Sequence, residues 1–393
     1  MKLIIKLSIT YILILITSWS CSQASGQESS LTMILTGSMH GQLDPCGWKK
    51  NPMGGLPRRY TKVKEIRESG VEPLIVDAGD FFFSTKKIDL TNKKSEKFRA
   101  GFILEGFETI GYDVLNIGEY ELLLGLPFLR KMSDKVKIPF ISANIKDSKS
   151  DELIFKPYQI IEKNGLKIGV IGLTDNLPDT SKSMTADDYI ESGLKYVKKV
   201  SSISDIIVLL VNTDRKNQSS LVEKFPDVDF IVTSGSTNMS RKNSPQKEGG
   251  PYFYSCGKQG KYLLTVDMNI KNSREPIVDI SNHKNNLKSI NKRFERLQKK
   301  DPEKTLEEIY SDQANVLSLI KKYRIELEDS KKAISSAINT IEYNTIGLNR
   351  KVNDDKDMLA FIEKSLVTCN AYAPKKTKEQ KSKAKINHSG HNH

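Results

Sequence analysis

Short apolar runs, each closed by a polar loop, dominate the first 270 residues of the chain. Residues 31–35, 73–76, 114–117, 139–145, 205–211, 230–233 and 252–255 are too short for helices and read as buried strands. Residues 158–162 and 166–173 flank Asn164-Gly165, which predicts a β-hairpin with a two-residue turn. Residues 262–270 alternate as a half-buried strand does. Between these runs the period changes to that of a helix, at 60–69, 95–110, 122–132 and 186–201. The second of these puts Phe98, Phe102, Ile103, Phe107 and Ile110 on one face. Strand and helix in alternation predict a layered α/β domain over residues 29–285.

Beyond Lys271 the pattern changes. Residues 287–300 and 302–338 are charged, with apolar positions at helical spacing. They predict a helical hairpin that breaks near Asp301-Pro302, with Leu306, Ile309, Ala314, Leu317 and Ile320 as its seam. Packing on the body and packing on a protein partner both remain open. Residues 339–352 read as an extended return and 356–366 as a last helix, so 286–367 forms a helical extension. The remainder, 368–393, is a Lys- and His-rich tail for which disorder is expected.

The N-terminus has the make-up of a secretory signal over residues 1–21: Lys2 and Lys6, then an apolar stretch over 7–16 too short to span a membrane comfortably. Cys21 stands where a bacterial lipoprotein is cut and lipidated, and ordinary cleavage near Ala24 is the alternative. Either way the chain is expected to be exported to the periplasm or cell envelope, with membrane attachment if Cys21 carries lipid. The formal net charge of +13 lies in scattered lysine pairs and the tail. No nucleic-acid motif with interleaved aromatics accompanies it, which argues for anionic envelope surfaces rather than nucleic acid as its counterpart.

The polar loops carry the candidate chemistry. In order they read Thr36-Gly37-Ser38-Met39-His40-Gly41-Gln42-Leu43, Asp77-Ala78-Gly79-Asp80, Gly118-Glu119-Tyr120-Glu121, Asn212-Thr213-Asp214 and Ser234-Gly235-Ser236-Thr237-Asn238. This series resembles the metallophosphatase domain of the 5'-nucleotidase family, of the calcineurin-like phosphoesterase fold, which includes the periplasmic UDP-sugar hydrolases. The family's loops read roughly TNDxHG, GD, GNHE, a strand ending in His, and GHxH. The match runs from about residue 30 to 270 and takes in Gly111-Tyr112-Asp113, Ser142-Ala143-Asn144 and Gly257-Lys258-Gln259-Gly260-Lys261. It implies a four-layer α/β/β/α sandwich.

The resemblance also implies a centre of two metal ions about 3.5–4 Å apart. Its seven ligand positions fall on Ser38, His40, Asp80, Glu119, Asn212, Ser236 and Asn238, where the family has Asp, His, Asp, Asn, His, His and His. Only His40 and Asp80 keep the family residue. Tyr120 takes the place of the His that assists at the phosphoryl group, and a phenol with a pKa near about 10 is a poor proton carrier at neutral pH. What remains is one divalent ion, Mn, Zn or Fe, on His40, Asp80 and Glu119, or no metal. Two functional classes follow: a non-catalytic binding or scaffold protein of the envelope, and a phosphohydrolase of nucleotides or related esters with a reduced metal site. A third class, metal handling by His388, His391 and His393, rests on the tail alone.

Two further features are ambiguous. Gly54 and Gly55 followed by Arg58 and Arg59 suit an anion held by backbone N–H groups and guanidinium, or arginines that merely brace the next helix. Cys46 and Cys256 sit on loops that the resemblance brings to one edge of the site, where they form a disulfide or stay isolated thiols.

Overall fold

The computed structural model describes residues 29–47, 51–244, 246, 247, 249–272 and 275–374. The signal segment with Cys21 and the tail histidines His388, His391 and His393 lie outside the described residues.

The first sheet begins with β1 (Ser29–Thr36), followed by helix α1 (Leu56–Glu68), β2 (Leu74–Asp77), α2 (Lys93–Ile110) and β3 (Val114–Asn116). Then come α3 (Glu119–Leu122), α4 (Leu126–Ser133) and β4 (Phe140–Ile141). A small two-stranded sheet pairs β5 (Ile145–Asp147) with β8 (Met184–Ala186). The hairpin β6 (Tyr158–Lys163) and β7 (Leu166–Thr174) opens the second sheet. It continues through α5 (Tyr189–Val200), β9 (Ile206–Asn212), α6 (Arg215–Gln218), α7 (Leu221–Lys224), β10 (Phe230–Ser234) and β11 (Tyr252–Ser255). The chain returns to the first sheet with β12 (Tyr262–Ile270) and β13 (Ile277–Asp279). Then follow α8 (Ser281–Gln298), α9 (Leu306–Ile309), α10 (Ala314–Ser336), β14 (Asn339–Gly347) and α11 (Lys356–Ala371).

Seven strands form one sheet in the order β13-β14-β12-β1-β2-β3-β4, and five form the other in the order β11-β10-β9-β7-β6. Strand alternation builds the layers. Leu31, Met33 and Leu35 of β1 point between the sheets, while Ile34 faces the helices outside. On β9, Ile206, Val208 and Leu210 point inward and Ile207, Leu209 and Val211 outward. Buried on both faces, these strands read as continuous apolar runs. The outer face of the first sheet carries residues from α1, α2, α4 and α11; that of the second carries α5 and the region of α7. The four-layer α/β/β/α sandwich is therefore the fold.

Two boundaries differ from expectation. The run at 139–145 is not one strand: it leaves the first sheet after Ile141, and Ser142-Ala143-Asn144 carries it to β5. Asn144 holds that corner, its amide donating to the Thr174 and Asp187 carbonyls at 2.7 and 3.1 Å. The helical hairpin is real, with α8 against α10 and Leu306, Ile309, Tyr310 and Ile320 buried between them. The residues after it are no appendage, however. β14 lies between β13 and β12 and pairs with β12 from Thr340 to Gly347. The body thus extends past residue 285, because β14 fills the place between β13 and β12 and pairs with both.

Parallel pairing decides where the loops meet. Thr36 lies opposite Asp77, and Asp77 opposite Leu115, at the ends of β1, β2 and β3. Asn212 lies opposite both Thr174 and Ser234 at the ends of β7, β9 and β10. Parallel strands ending together place their following loops side by side, the usual position for a site in an α/β protein.

Candidate functional site

The loops keep an unusual backbone. Ser38, His40 and Asp80 have φ of 50°, 49° and 65°. Non-glycine residues seldom take this left-handed conformation, and they hold it where surrounding bonds over-determine it. Those bonds are present: Ser38 N donates to Gly79 O at 2.9 Å, His40 N to Asp80 O at 2.8 Å and Gly41 N to Phe81 O at 3.0 Å.

Glu121 organises the corner beneath. Its carboxylate is fully buried and accepts from the backbone N–H groups of Asp80, Phe81, Phe82 and Gly118, all at 2.8–2.9 Å. Burial, then the neighbouring Asp80 charge, pushes its carboxyl up, against the pull of these donors. Glu121 lies in the quoted loop, yet nothing in spacing or composition marked it as the bracket joining the 80 and 118 turns. Gly118 fits because a Cβ there would stand 2.6 Å from Asp80 N and 2.9 Å from Asn212 Cγ.

The seven ligand positions divide. His40 remains suited to a cation: its Nδ1 is buried without a partner. Burial, with Lys86 and Lys258 nearby, lowers its pKa to about 4, so the ring is neutral at physiological pH. Asp80 is buried and accepts from Tyr120 N at 3.0 Å. Ser38 is fully buried and its hydroxyl accepts from Gly235 N at 3.0 Å. Asn212, 1% exposed, spends both ends of its amide on the protein. It accepts from Glu119 N at 2.9 Å and donates to Ser234 Oγ at 2.7 Å, which passes the chain on to Ala78 O.

Glu119 turns to Lys86, with Nζ 2.5 Å from its carboxylate. Ser236 Oγ bonds Gln218 Oε1 at 3.2 Å. Asn238 lines a cavity that includes none of Ser38, His40, Asp80 or Glu119. Tyr120 packs its ring 4.6 Å from that of His40. Burial and the charges of Asp80, Glu119 and Glu121 push its phenol up to about 12, so it is a neutral group here.

The donor set does not fit the implied metals. Among the described residues, no group of three His, Cys, Asp or Glu side chains is placed to hold an ion. His40, Asp80 and Glu119 are therefore not gathered as a trio in this structure. Glu119 is paired with an ammonium, and the Asn212 amide is hydrogen-bonded to Glu119 N and Ser234 Oγ. Lys86, in a polar stretch with no pattern to mark it, supplies the positive charge at this mouth.

The glycine-arginine loop is structural. Gly54 N donates to Leu348 O at 2.8 Å, and Gly55 turns at φ 92° against Pro45 to start α1. Arg58 is 6% exposed, bonds Pro52 O and Leu348 O, and pairs with Asp354. Arg59 is 1% exposed and bonds Tyr112 OH. Tyr112 in turn meets the Thr36 hydroxyl, which donates to Asp77. Both guanidiniums are buried with partners inside the protein, although Arg59 Nε has none, an arrangement that favours the bracing reading of Gly54, Gly55, Arg58 and Arg59 over the anion reading. Cys46, Cys256 and Cys369 are all free thiols, so the Cys46–Cys256 pairing is not formed either.

No family model matches the chain. Among curated proteins it is similar to a 5'-nucleotidase of Vibrio parahaemolyticus, 24% identical over 324 residues, which covers 70% of this chain and 56% of that protein. It is also similar to Protein UshA of Escherichia coli, 33% identical over 158 residues, covering 39% of this chain and 26% of the relative. The chain spans about half the length of the curated 5'-nucleotidases it matches. Among solved structures it superposes on calcineurin-like phosphoesterase YfkN of Bacillus subtilis with a TM-score of 0.59 and 16% identity, over 88% of this chain and 99% of that one. Loop order, strand topology, curated relatives and fold neighbours converge: this chain carries a 5'-nucleotidase-like metallophosphatase domain.

Proposed function

We propose that the chain is an exported envelope protein whose metallophosphatase fold binds or scaffolds instead of hydrolysing. One observation carries the reading. The Asn212 amide, at a position where the family has a ligating His, is engaged at both ends, its oxygen by Glu119 N and its NH2 by Ser234 Oγ, with Asp80 as a further partner. A neutral amide so committed is a poor substitute for an imidazole ligand beside Asp80. Tyr120, held neutral, lacks the proton mobility of the His it replaces. The apolar stretch at 7–16 behind Lys2 and Lys6 supports export. Among the described residues no helix is long and apolar enough to cross a membrane.

A second reading has its own support. The relatives are named 5'-nucleotidases, and His40 keeps a neutral ring with an unpartnered Nδ1. Under that reading the chain hydrolyses nucleotides or related phosphate esters with a reduced site. Losing one major electrostatic group typically costs about 10²–10³ in rate, and several are altered here. The expected result is no turnover of nucleoside monophosphates, UDP-sugars or an aryl phosphate above background with added Mn or Zn. Turnover that vanishes in the Asp80→Ala, His40→Ala double variant would replace the binding reading by the hydrolytic one. Recovery of the chain in the cytoplasmic fraction would remove the export part.

A further inference from the structure

β11 is the outer strand of the second sheet, and Met239, Ser240 and Gln246, which follow β10, pair with it and with Cys256 at its end as a cover. Gln246 pairs its amide with Phe253 as a neighbouring strand would, accepting from the Phe253 N–H at 3.0 Å and donating to its carbonyl at 2.9 Å. Ser240 Oγ accepts from Ser255 N at 2.9 Å. Between this cover and α6–α7 lies a cavity of about 420 Å³, joined to another of about 570 Å³ through Gln218, Ser219, Asn238 and Phe253. Sites for small molecules run to about 300–1,000 Å³.

The lining is selective in its chemistry. It contains no acidic side chain among the described residues. Arg215, Lys216 and Lys247 stand exposed at its rim, and none of them forms an ion pair among the described residues. The Phe253 ring, half-buried, rests on the outer core of the second sheet beside Val222. Asn238 and Ser219 make no side-chain hydrogen bond among the described residues, whereas Gln218 is saturated by Thr213 O, Ser234 O and Ser236 Oγ. A ligand that satisfies this wall has three parts: an anionic group for the rim cations, a flat C–H face for the ring, and hydroxyls for the free amide and hydroxyl.

We infer that this cavity is a binding site for an acidic sugar, one bearing a carboxylate or a phosphate. The inference names a ligand class for the binding role proposed above and rests on it. The altered metal positions take part: Asn238, matching a ligand position in the related domains, faces the cavity, and Ser236 holds Gln218 in its wall. What distinguishes a uronic acid from a sugar phosphate is the geometry of the anion, so both belong in the test.

Calorimetric titration of the full chain with glucuronate, glucose 6-phosphate, glucose and inorganic phosphate tests it, with free phosphate assayed in the same samples. At least one acidic sugar is expected to bind about tenfold or more tighter than glucose and than inorganic phosphate, the worth of one charge-assisted contact. Arg215→Glu with Lys216→Glu, both exposed, is expected to weaken that binding about tenfold or more without lowering the melting temperature. Phe253→Leu keeps an apolar side chain and is expected to weaken the sugar but not inorganic phosphate. Absence of binding by both acidic sugars, equal binding of glucose, equal binding of phosphate alone, or indifference to the charge reversal would each overturn the site. Phosphate release from glucose 6-phosphate would count against the non-catalytic reading alone, and failure to bind without release would count against the cavity alone.

Discussion

At the scale of single residues, the loops hold an uncommon backbone on side chains that differ from the family's. Ser38, His40 and Asp80 turn through left-handed conformations, and Glu121 ties two turns together with four accepted N–H bonds. His40 is the residue whose charge reports on this corner. Its pKa falls from 6.5 to about 4 on folding, through burial first and then Lys86 and Lys258. Between those values the unfolded chain binds the proton and the folded one does not, so stability rises with pH across that window. The contribution is full above pH 6.5 and is lost as pH falls toward 4. His40→Leu should therefore flatten the dependence of unfolding free energy on pH between about 4 and 6.5, measured by denaturant titration. A wild-type slope unchanged by the substitution would mean that the ring titrates normally. The family resemblance identified His40, but it could not show Glu119 paired with Lys86, because nothing in sequence distance brings residue 86 to residue 119.

At the scale of elements, most strands were legible, and the last was read as an extended return but assigned outside the body. Continuous apolar runs such as Ile206–Asn212 mark strands buried on both faces, and their periodicity needs no partner to be read. β14 alternates weakly, with burial at Asn339, Ile341 and Tyr343 and partial exposure beyond, so its pattern showed an extended return without showing its place in the sheet. Its role depends on a pairing with β12 across a hairpin of helices, which is tertiary information. α11 then covers α2, with Met358, Ile362 and Cys369 buried against it. A chain ended after Ile270, where the family resemblance stops, loses both elements and leaves the β12 edge open. It should fail to unfold cooperatively, while a chain ended after Pro374 keeps the melting temperature of the full protein. Calorimetry of the two truncations decides; cooperative melting of the shorter one would show that β14 and α11 are accessories.

At the scale of the whole molecule, the fold and the site carry different kinds of information. The fold rests on many apolar positions, any few of which can change, so it was readable despite low identity to its relatives. The site rests on a handful of donors around one point, and there the letters could only say that the family's set had been altered. The geometry adds that side chains at these positions have protein partners: Asn212 its two hydrogen bonds, Glu119 Lys86, Ser236 Gln218. It also adds a rigid frame beneath them, in the left-handed turns and the Glu121 bracket. Metal binding should accordingly be absent yet recoverable. Elemental analysis of the chain ended after Pro374 should find less than one Mn, Zn or Fe per chain. Restoring the family donors together, by Ser38→Asp, Glu119→Asn, Asn212→His, Ser236→His and Asn238→His with Lys86→Ala, should raise the content toward about two ions per chain. It should also raise the melting temperature when Mn or Zn is added, since an ion that binds only the folded state stabilises it. Two ions in the unaltered truncation would restore a working metallophosphatase, whereas a folded variant that still takes up none would show that the loops have lost the geometry as well as the donors.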